Sequence, residues 1–300
     1  MPSRFHLLRR RWAALVCAAV LGTGLFAGCA SLDEQQRKWI FQASSLPAPP
    51  PDRMVERSDG LTDVWIEHDS RASGAKVRLH ALWAPGDDAH APLLLYLHGA
   101  RRNIEGSTFR IRQMRELGFA VLAVDYRGFG LSTDELPSEA AVVEDARAAW
   151  DWLAREHPGR PRYIFGHSLG GAIAVQLASQ TPDERGLIVE GSFTSVADVF
   201  RTFKWGWLPV TPFITQRFDS VGTIDRVGSP VLVVHGGRDG LITPALGRAL
   251  YERAAEPKRF VLVEDGTHYS TNRVGQAQYR EALRDLFGLG AGRPGAALSQ

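Results

Sequence analysis

The sequence predicts an α/β protein: a mostly parallel central sheet with helices on both faces and a short cap insertion. Three observations carry that expectation. Short apolar runs such as "PLLLYLHG" and "FAVLAVDYRG" recur, as they do in strands covered on both faces. Stretches with one apolar helical face alternate with them, most clearly "LPSEAAVVEDARAAWDWLAREHPG". One segment, 193–225, breaks the alternation and is rich in aromatic residues and proline.

The elements follow in order. Residues 1–28 read as a signal peptide: "MPSRFHLLRRRW" is basic, and "AALVCAAVLGTGLFAG" is apolar but short for a membrane span. The ending "LFAGC" is similar to a bacterial lipoprotein cleavage box and makes Cys29 the expected lipid attachment site. Phe26 stands where that box usually carries leucine. An ordinary secretory signal, or an uncleaved N-terminal anchor, is the alternative. The chain has two cysteines, and Cys17 would leave with the signal, so no disulfide framework is expected. The expected address is the bacterial envelope, on the outer membrane facing the periplasm. Residues 29–58 form an anchor linker. Within it "QQRKWIFQ" carries Trp39, Ile40 and Phe41, which suit either docking on the domain or the bilayer surface, and "SSLPAPPPDR" is extended.

Residues 59–288 make up the main domain. "DVWIEH" and "KVRLHALWAP" alternate as a half-buried antiparallel pair does. "PLLLYLHG" is the first covered strand, followed by a helix near 104–117. "FAVLAVDYRG" is the next strand, and the long helix after it starts at Pro137–Ser138 and stops at His157-Pro158-Gly159. "RYIFGHS" and "LGGAIAVQLASQTP" are strand then helix. "GLIVEGS", "SPVLVVHGGRD" and "RFVLVEDGTH" are further strands, with helix "PALGRALYERAA" between the last two and "RVGQAQYREALRDLFG" as a closing helix. Segment 193–225 is read as a small cap over the carboxyl edge of the sheet, where open α/β sheets bind ligands. Residues 289–300 are read as a disordered tail.

Composition narrows the function. The 300 residues are 44% hydrophobic and 23% charged, enough for a large core. A net charge of +2, with both signs interspersed, gives no electrostatic case for nucleic acid. No P-loop, dinucleotide fingerprint or metal-ligand spacing is visible, so no cofactor and no metal are expected.

"GHSLG" fits G-x-S-x-G, with a strand before it and a helix after it. That context suits a nucleophile on a sharp turn, Ser168, with Gly166 and Gly170 providing clearance. A serine hydroxyl needs a base, an orienter for the base, and donors for the developing oxyanion. On such an elbow the chain order is serine, acid, histidine. His268 is the one histidine after residue 235 and follows the last predicted strand. His98 and His167 flank the site and are read as contributing backbone, and His235 as packing. Asp239 leaves a strand at its carboxyl end and is the preferred acid. Asp219, Asp225, Asp265 and Glu190 are among the competitors. The oxyanion donors are expected to be the backbone amides of Leu169 and Ala100, the latter in "HGARRN". Ser192, in "VEGSFTS", is read as loop packing or as a contact behind the nucleophile.

These parts in this order resemble the α/β-hydrolase superfamily, over about residues 60–288. "LYLHGARRN", "VDYRGFGLS", "GHSLGG", "VHGGRD" and "GTH" are similar to the small-cap branch of esterase-like and serine-peptidase-like members. Some of those carry an N-terminal anchor and a "QRKLIF"-like stretch, to which "QRKWIF" is similar. Many relatives have Asn after His-Gly where this chain has Ala100. The resemblance implies a serine hydrolase acting on a small carboxylic ester or thioester through an acyl-enzyme. A peptidase or amidase of the same fold is the alternative, with a non-catalytic lipid-anchored binding protein behind it. The cap aromatics Phe200, Phe203, Trp205, Trp207 and Phe213 suit an acyl chain, lipid contact or a plain lid core.

Overall fold

A computed structural model of the protein describes residues 31–46 and 60–290. The signal peptide, Cys29, most of the proline-rich linker and the tail beyond Leu289–Gly290 lie outside the described residues. Among the described residues, no helix is long and apolar enough to cross a membrane.

Eight strands form one sheet in the order β1-β2-β4-β3-β5-β6-β7-β8. The strands are β1 (Thr62–Asp69), β2 (Lys76–Ala84), β3 (Leu93–Leu97), β4 (Ala120–Val124), β5 (Arg162–His167), β6 (Leu187–Glu190), β7 (Val231–Gly236) and β8 (Lys258–Val263). Strand β2 runs antiparallel to both β1 and β4, and every other pairing is parallel. The apolar runs explain the layering. Leu93, Leu95 and Leu97 join the core on one face, whereas Leu94 and Tyr96 join the core on the other. A period of two sends alternate side chains to opposite faces, so a strand covered on both must be apolar throughout.

Helices cover the two faces. Helix α2 (Thr108–Glu116) and helix α8 (Gln276–Phe287) lie on one. On the other lie α3 (Glu139–Glu156), α4 (Leu169–Ala178) and α6 (Pro244–Arg253). Ser138 caps α3 by accepting from the amide of Ala141. The closing helix differs from the sequence expectation. It is broken at Gly275 into α7 (Thr271–Val274) and α8. A side chain at 275 would meet Val263 Cγ2 at 2.6 Å, so glycine lets the join lie against β8. The cap contains one short helix, α5 (Val196–Arg201), and two 3₁₀ turns.

The stretch around Trp39 docks on the domain. Residues 31–41 form a helix, α1. Phe41 is wholly buried and meets Phe218 edge-on at 5.8 Å. Arg37 Nε donates to the carbonyl of Pro137 at 2.8 Å. Gln36 bonds the cap on both sides, donating to the Phe213 carbonyl and accepting from the Thr215 amide.

Candidate active site

The site is assembled from loops at the carboxyl ends of parallel strands. Ser168 follows β5 directly and begins α4 with φ 57° and ψ −123°. That backbone is strained for a residue with a side chain, and such strain clusters at functional sites. Its neighbours leave no room for alternatives. A Cβ at 170 would lie 2.1 Å from the Leu97 carbonyl oxygen, and one at 166 would lie 2.2 Å from that of Gly170. Glycine at both positions lets the turn close against β3. Two contacts then fix Ser168: its amide donates to the Glu190 carbonyl at 2.9 Å, and its carbonyl accepts from Ser192 Oγ at 2.8 Å. Ser192 therefore braces the turn from behind.

The three side chains singled out in the sequence meet. Ser168 Oγ donates to His268 Nε2 at 3.0 Å, and His268 Nδ1 donates to Asp239 Oδ2 at 2.8 Å. The loops after β7 and β8 are tied together, because the Arg238 amide donates to the Gly266 carbonyl at 2.8 Å. Asp239 is buried, and its other oxygen accepts from the amides of Leu241 and Ile242, both at 2.9 Å. Burial alone would raise its pKa. Hydrogen bonding from His235 and His268, the adjacent imidazole charge and the Ile242 amide outweigh burial and hold it well below the usual carboxylate range. The competing acids are spent elsewhere: Asp225 pairs with Arg253 and Asp265 with Arg238, each at 2.7 Å, while Asp219 accepts from the Gly222 amide at 3.0 Å.

The loop after β3 is held from behind. His98 is fully buried, and its Nδ1 donates to the Gly99 carbonyl at 2.7 Å. Its Nε2 lies 3.3 Å from Asp125, which also accepts from the Ile104 amide at 2.8 Å. Asp125 thus staples both ends of the loop that carries Ala100. Ala100, Leu169, Ser168 and His268 line one cavity of about 150 Å³.

A buried ionic network lies beneath His268. Arg110 Nε contacts Glu190 at 3.2 Å, Tyr279 donates to the other Glu190 oxygen at 2.5 Å, and Arg110 Nη2 reaches the His268 carbonyl at 3.4 Å. His167 Nε2 donates to the same carbonyl at 2.8 Å. The sequence reading assigned His167 only a backbone part, so its imidazole is a correction: burial aims the ring at the neighbouring loop. Glu190 was open to detection, since a carboxylate inside the apolar run "LIVE" requires a buried cation. The partner, 80 residues away, was not.

Residues 88–220 match a family model described as serine aminopeptidase, S33. An uncharacterised protein of Mycobacterium tuberculosis is 34% identical over 271 residues, spanning 86% of this chain and 89% of that protein. The chain belongs to the α/β-hydrolase superfamily. Like its fold, its enzyme class is that of the α/β-hydrolases. The lysophosphatidylserine lipase ABHD12 of Danio rerio is 32% identical over 187 residues, which is 56% of this α/β-hydrolase but only 48% of that protein. In fold, it resembles an esterase of Pyrococcus furiosus, with TM-score 0.62 and 20% identity over 81% of this chain and 100% of the other. Est1E from Butyrivibrio proteoclasticus, solved with ferulic acid, gives TM-score 0.63 at 18% identity over 75% and 99%.

One further wall of the hydrolase site comes from outside the strand loops. Trp39, Ile40 and Gln42 line the cavity, and the Arg101 amide donates to the Phe41 carbonyl at 3.0 Å. The end of α1 is therefore bonded to the loop that carries Ala100. The apolar triplet Trp39-Ile40-Phe41 was the one sequence signal for this.

Proposed function

We propose that this protein cleaves a carboxylic ester or thioester through an acyl-enzyme on Ser168. The observation that carries this reading is the continuous chain of hydrogen bonds from Ser168 through His268 to Asp239. Ser168 Oγ attacks the acyl carbonyl as its proton passes to His268 Nε2. The amides of Ala100 and Leu169 receive the oxyanion, and one such donor contributes about 3–4 kcal/mol in comparable enzymes. The carbonyl reforms as the alcohol or thiol leaves with the proton from His268. Water then attacks the acyl-enzyme, gives a proton to His268, and releases the acid while Ser168 regains its hydrogen. Asp239 stays ionised and holds the imidazole in the tautomer with its Nδ1–H facing the carboxylate.

The family model's description raises a peptidase reading. An aminopeptidase must hold a protonated amino group. The described residues lining the cavity include Arg101, Arg102 and Arg110 and no carboxylate. Arg110 is paired with Glu190, but Arg101 and Arg102 leave a wall that repels an ammonium and tolerates a neutral or anionic substrate, which favours the ester. The relatives described as lipases and esterases support the same choice.

The test is labelling with a fluorophosphonate probe, followed by turnover of nitrophenyl esters, thioesters and aminoacyl amides. Labelling of the wild type, its loss in Ser168→Ala, and ester turnover are expected. No labelling of folded wild type would leave the binding-protein reading in place, and preference for the amides would favour the peptidase.

We further propose that Cys29 carries lipid and holds the enzyme on the outer membrane facing the periplasm. The pattern "LFAGC" after a short apolar run supports this, as does the absence of aspartate beside Cys29, where Ala30 and Ser31 follow. Metabolic palmitate labelling of wild type but not of Cys29→Ser is expected; labelling of both would refute it.

A further inference from the structure

A second cavity, of about 370 Å³, lies between α1 and the cap. Its walls are apolar side chains, among them Leu32, Trp39 and Ile40 from α1 and Val196, Phe200 and Ile214 from the cap segment. Two of its lining side chains carry polar atoms, Trp39 through its indole N–H and Gln36, whose amide is spent. The Gln36 nitrogen donates to the Phe213 carbonyl at 2.8 Å, and its oxygen accepts from the Thr215 amide at 2.9 Å. Among the described residues, the rest of the wall is apolar and carries no charged side chain. A polar group buried there would lose its water without compensation, whereas a hydrocarbon loses nothing.

This groove adjoins the active site. Trp39, Ile40 and Val196 line both cavities. The chamber beside Ser168 is the smaller, at about 150 Å³, and its polar groups gather around Ser168 and His268. An ester placed with its carbonyl at Ser168 has its reacting atoms in the polar chamber. A long acyl chain outgrows that chamber, and the apolar groove lies next to it across Trp39, Ile40 and Val196.

We propose that the groove between α1 and the cap is a distal acyl subsite, occupied by the hydrocarbon chain of the substrate. The inference rests on the ester-hydrolase reading of Ser168 and extends it: substrates are esters of medium or long unbranched acids, and α1 helps select their length. Helix α1 is then part of the specificity machinery, since it supplies one wall of the subsite and is bonded to the cap that supplies the other. The occupant is the acyl chain because the groove shares Trp39, Ile40 and Val196 with the catalytic chamber and is lined almost wholly by apolar side chains.

The test is kcat/KM of the full-length protein on monomeric nitrophenyl esters from acetate to decanoate. In wild type, kcat/KM should rise about fourfold per methylene once the chain reaches the groove, the factor equivalent to ~0.8 kcal/mol per buried CH₂. Two variants fill the groove without touching the catalytic chamber, Ile214→Trp and Leu32→Trp. Each should lose about tenfold or more on the longest esters while acetate and butyrate change less than about twofold. Fluorophosphonate labelling confirms that the variants are folded and active. A chain-length profile unchanged in both labelled variants would overturn the subsite while the ester reading stands. So would an equal loss at every length. An unchanged profile with loss of vesicle binding would assign the groove to the bilayer and overturn the proposal likewise. No turnover of any ester by labelled wild type would overturn the ester reading, and the subsite with it.

Discussion

His167, the residue before the proposed nucleophile, holds the backbone of the proposed base: its Nε2 donates to the His268 carbonyl at 2.8 Å. The imidazole is fully enclosed, and burial, then the charges of Arg110 and His268, push its pKa well below the ordinary histidine value. It is therefore neutral in the fold. In the unfolded chain it takes a proton near pH 6.5. Between those two values the unfolded state binds more protons, so this residue makes stability rise with pH, by up to about 1.4 kcal/mol per unit. Its destabilising effect enters as pH falls below about 6.5. His80 runs the other way. Burial lowers its pKa, but Asp125 and Asp63 raise it overall, so its stabilisation is present below about 6.5 and lost as pH rises through the folded value. Comparison with His167→Gln, which keeps an N–H donor, isolates His167. The variant's Tm should fall less than wild type's between about pH 7.5 and about pH 5.5; parallel declines would show that His167 is not the group responsible.

Replacing Asp239 by Asn should lower kcat by about ten-thousand-fold while the fold survives. The asparagine oxygen can still accept from the amides of Leu241 and Ile242, so the loop keeps its shape. What fails is the ionised partner that fixes the tautomer of His268. Ester turnover and a melting curve measure the two effects separately. A mild loss here, with a large one in Asp225→Asn, would move the role to Asp225.

The Arg110–Glu190 pair is almost wholly buried, and removing one member leaves the other charge without water or partner. Arg110→Met should cost about 3–5 kcal/mol. The double variant Arg110→Met with Glu190→Met should recover much of that loss, since a buried pair replaced by packed apolar groups is often close to neutral. Recovery of Tm with kcat still depressed and KM unchanged would identify Arg110 as a positioning residue for His268. Recovery of both would make the pair structural alone.

Gly170→Ala should destabilise the protein by about 1–3 kcal/mol or more, although alanine is the better helix former. The new methyl would meet the carbonyl oxygens of Leu97 and His98 at 2.1 and 2.5 Å, and both belong to rigid backbone. Gly228→Ala is the control. A Cβ there meets nothing within 4 Å, and its effect should lie within about 0.5 kcal/mol. Chemical denaturation of the pair checks the contrast; equal stabilities would remove the clearance argument.

The local pattern carried most of the fold. Leu93–Leu97 and Ala120–Val124 are strands because every position is apolar, and α3 is bounded by Ser138 and His157 because those residues start and stop helices. The position of Ser168 was also legible, since a glycine-flanked serine between an apolar run and a helix has few other uses. Such features are short-range: periodicity and backbone preference act over a few residues and are written where they act.

The tertiary structure decided the rest. The sequence preferred Asp239 as the partner of His268 over competitors that included Asp225, Asp219, Asp265 and Glu190, but no local pattern could bring the two together. In the fold Asp239 faces His268 because the sheet order brings their loops side by side, while cations pair with Asp225, Asp265 and Glu190 and the Gly222 amide bonds Asp219. Whether Trp39-Ile40-Phe41 met the domain or a bilayer was open. A buried slot for Phe41 beside Phe218 and a bond to the Arg101 amide dock Phe41 on the domain, while Trp39 stays half-exposed. Both outcomes depend on contacts between residues far apart in the chain. A hydrophobic or charged side chain declares only that it needs a partner, and the folded geometry chooses which one.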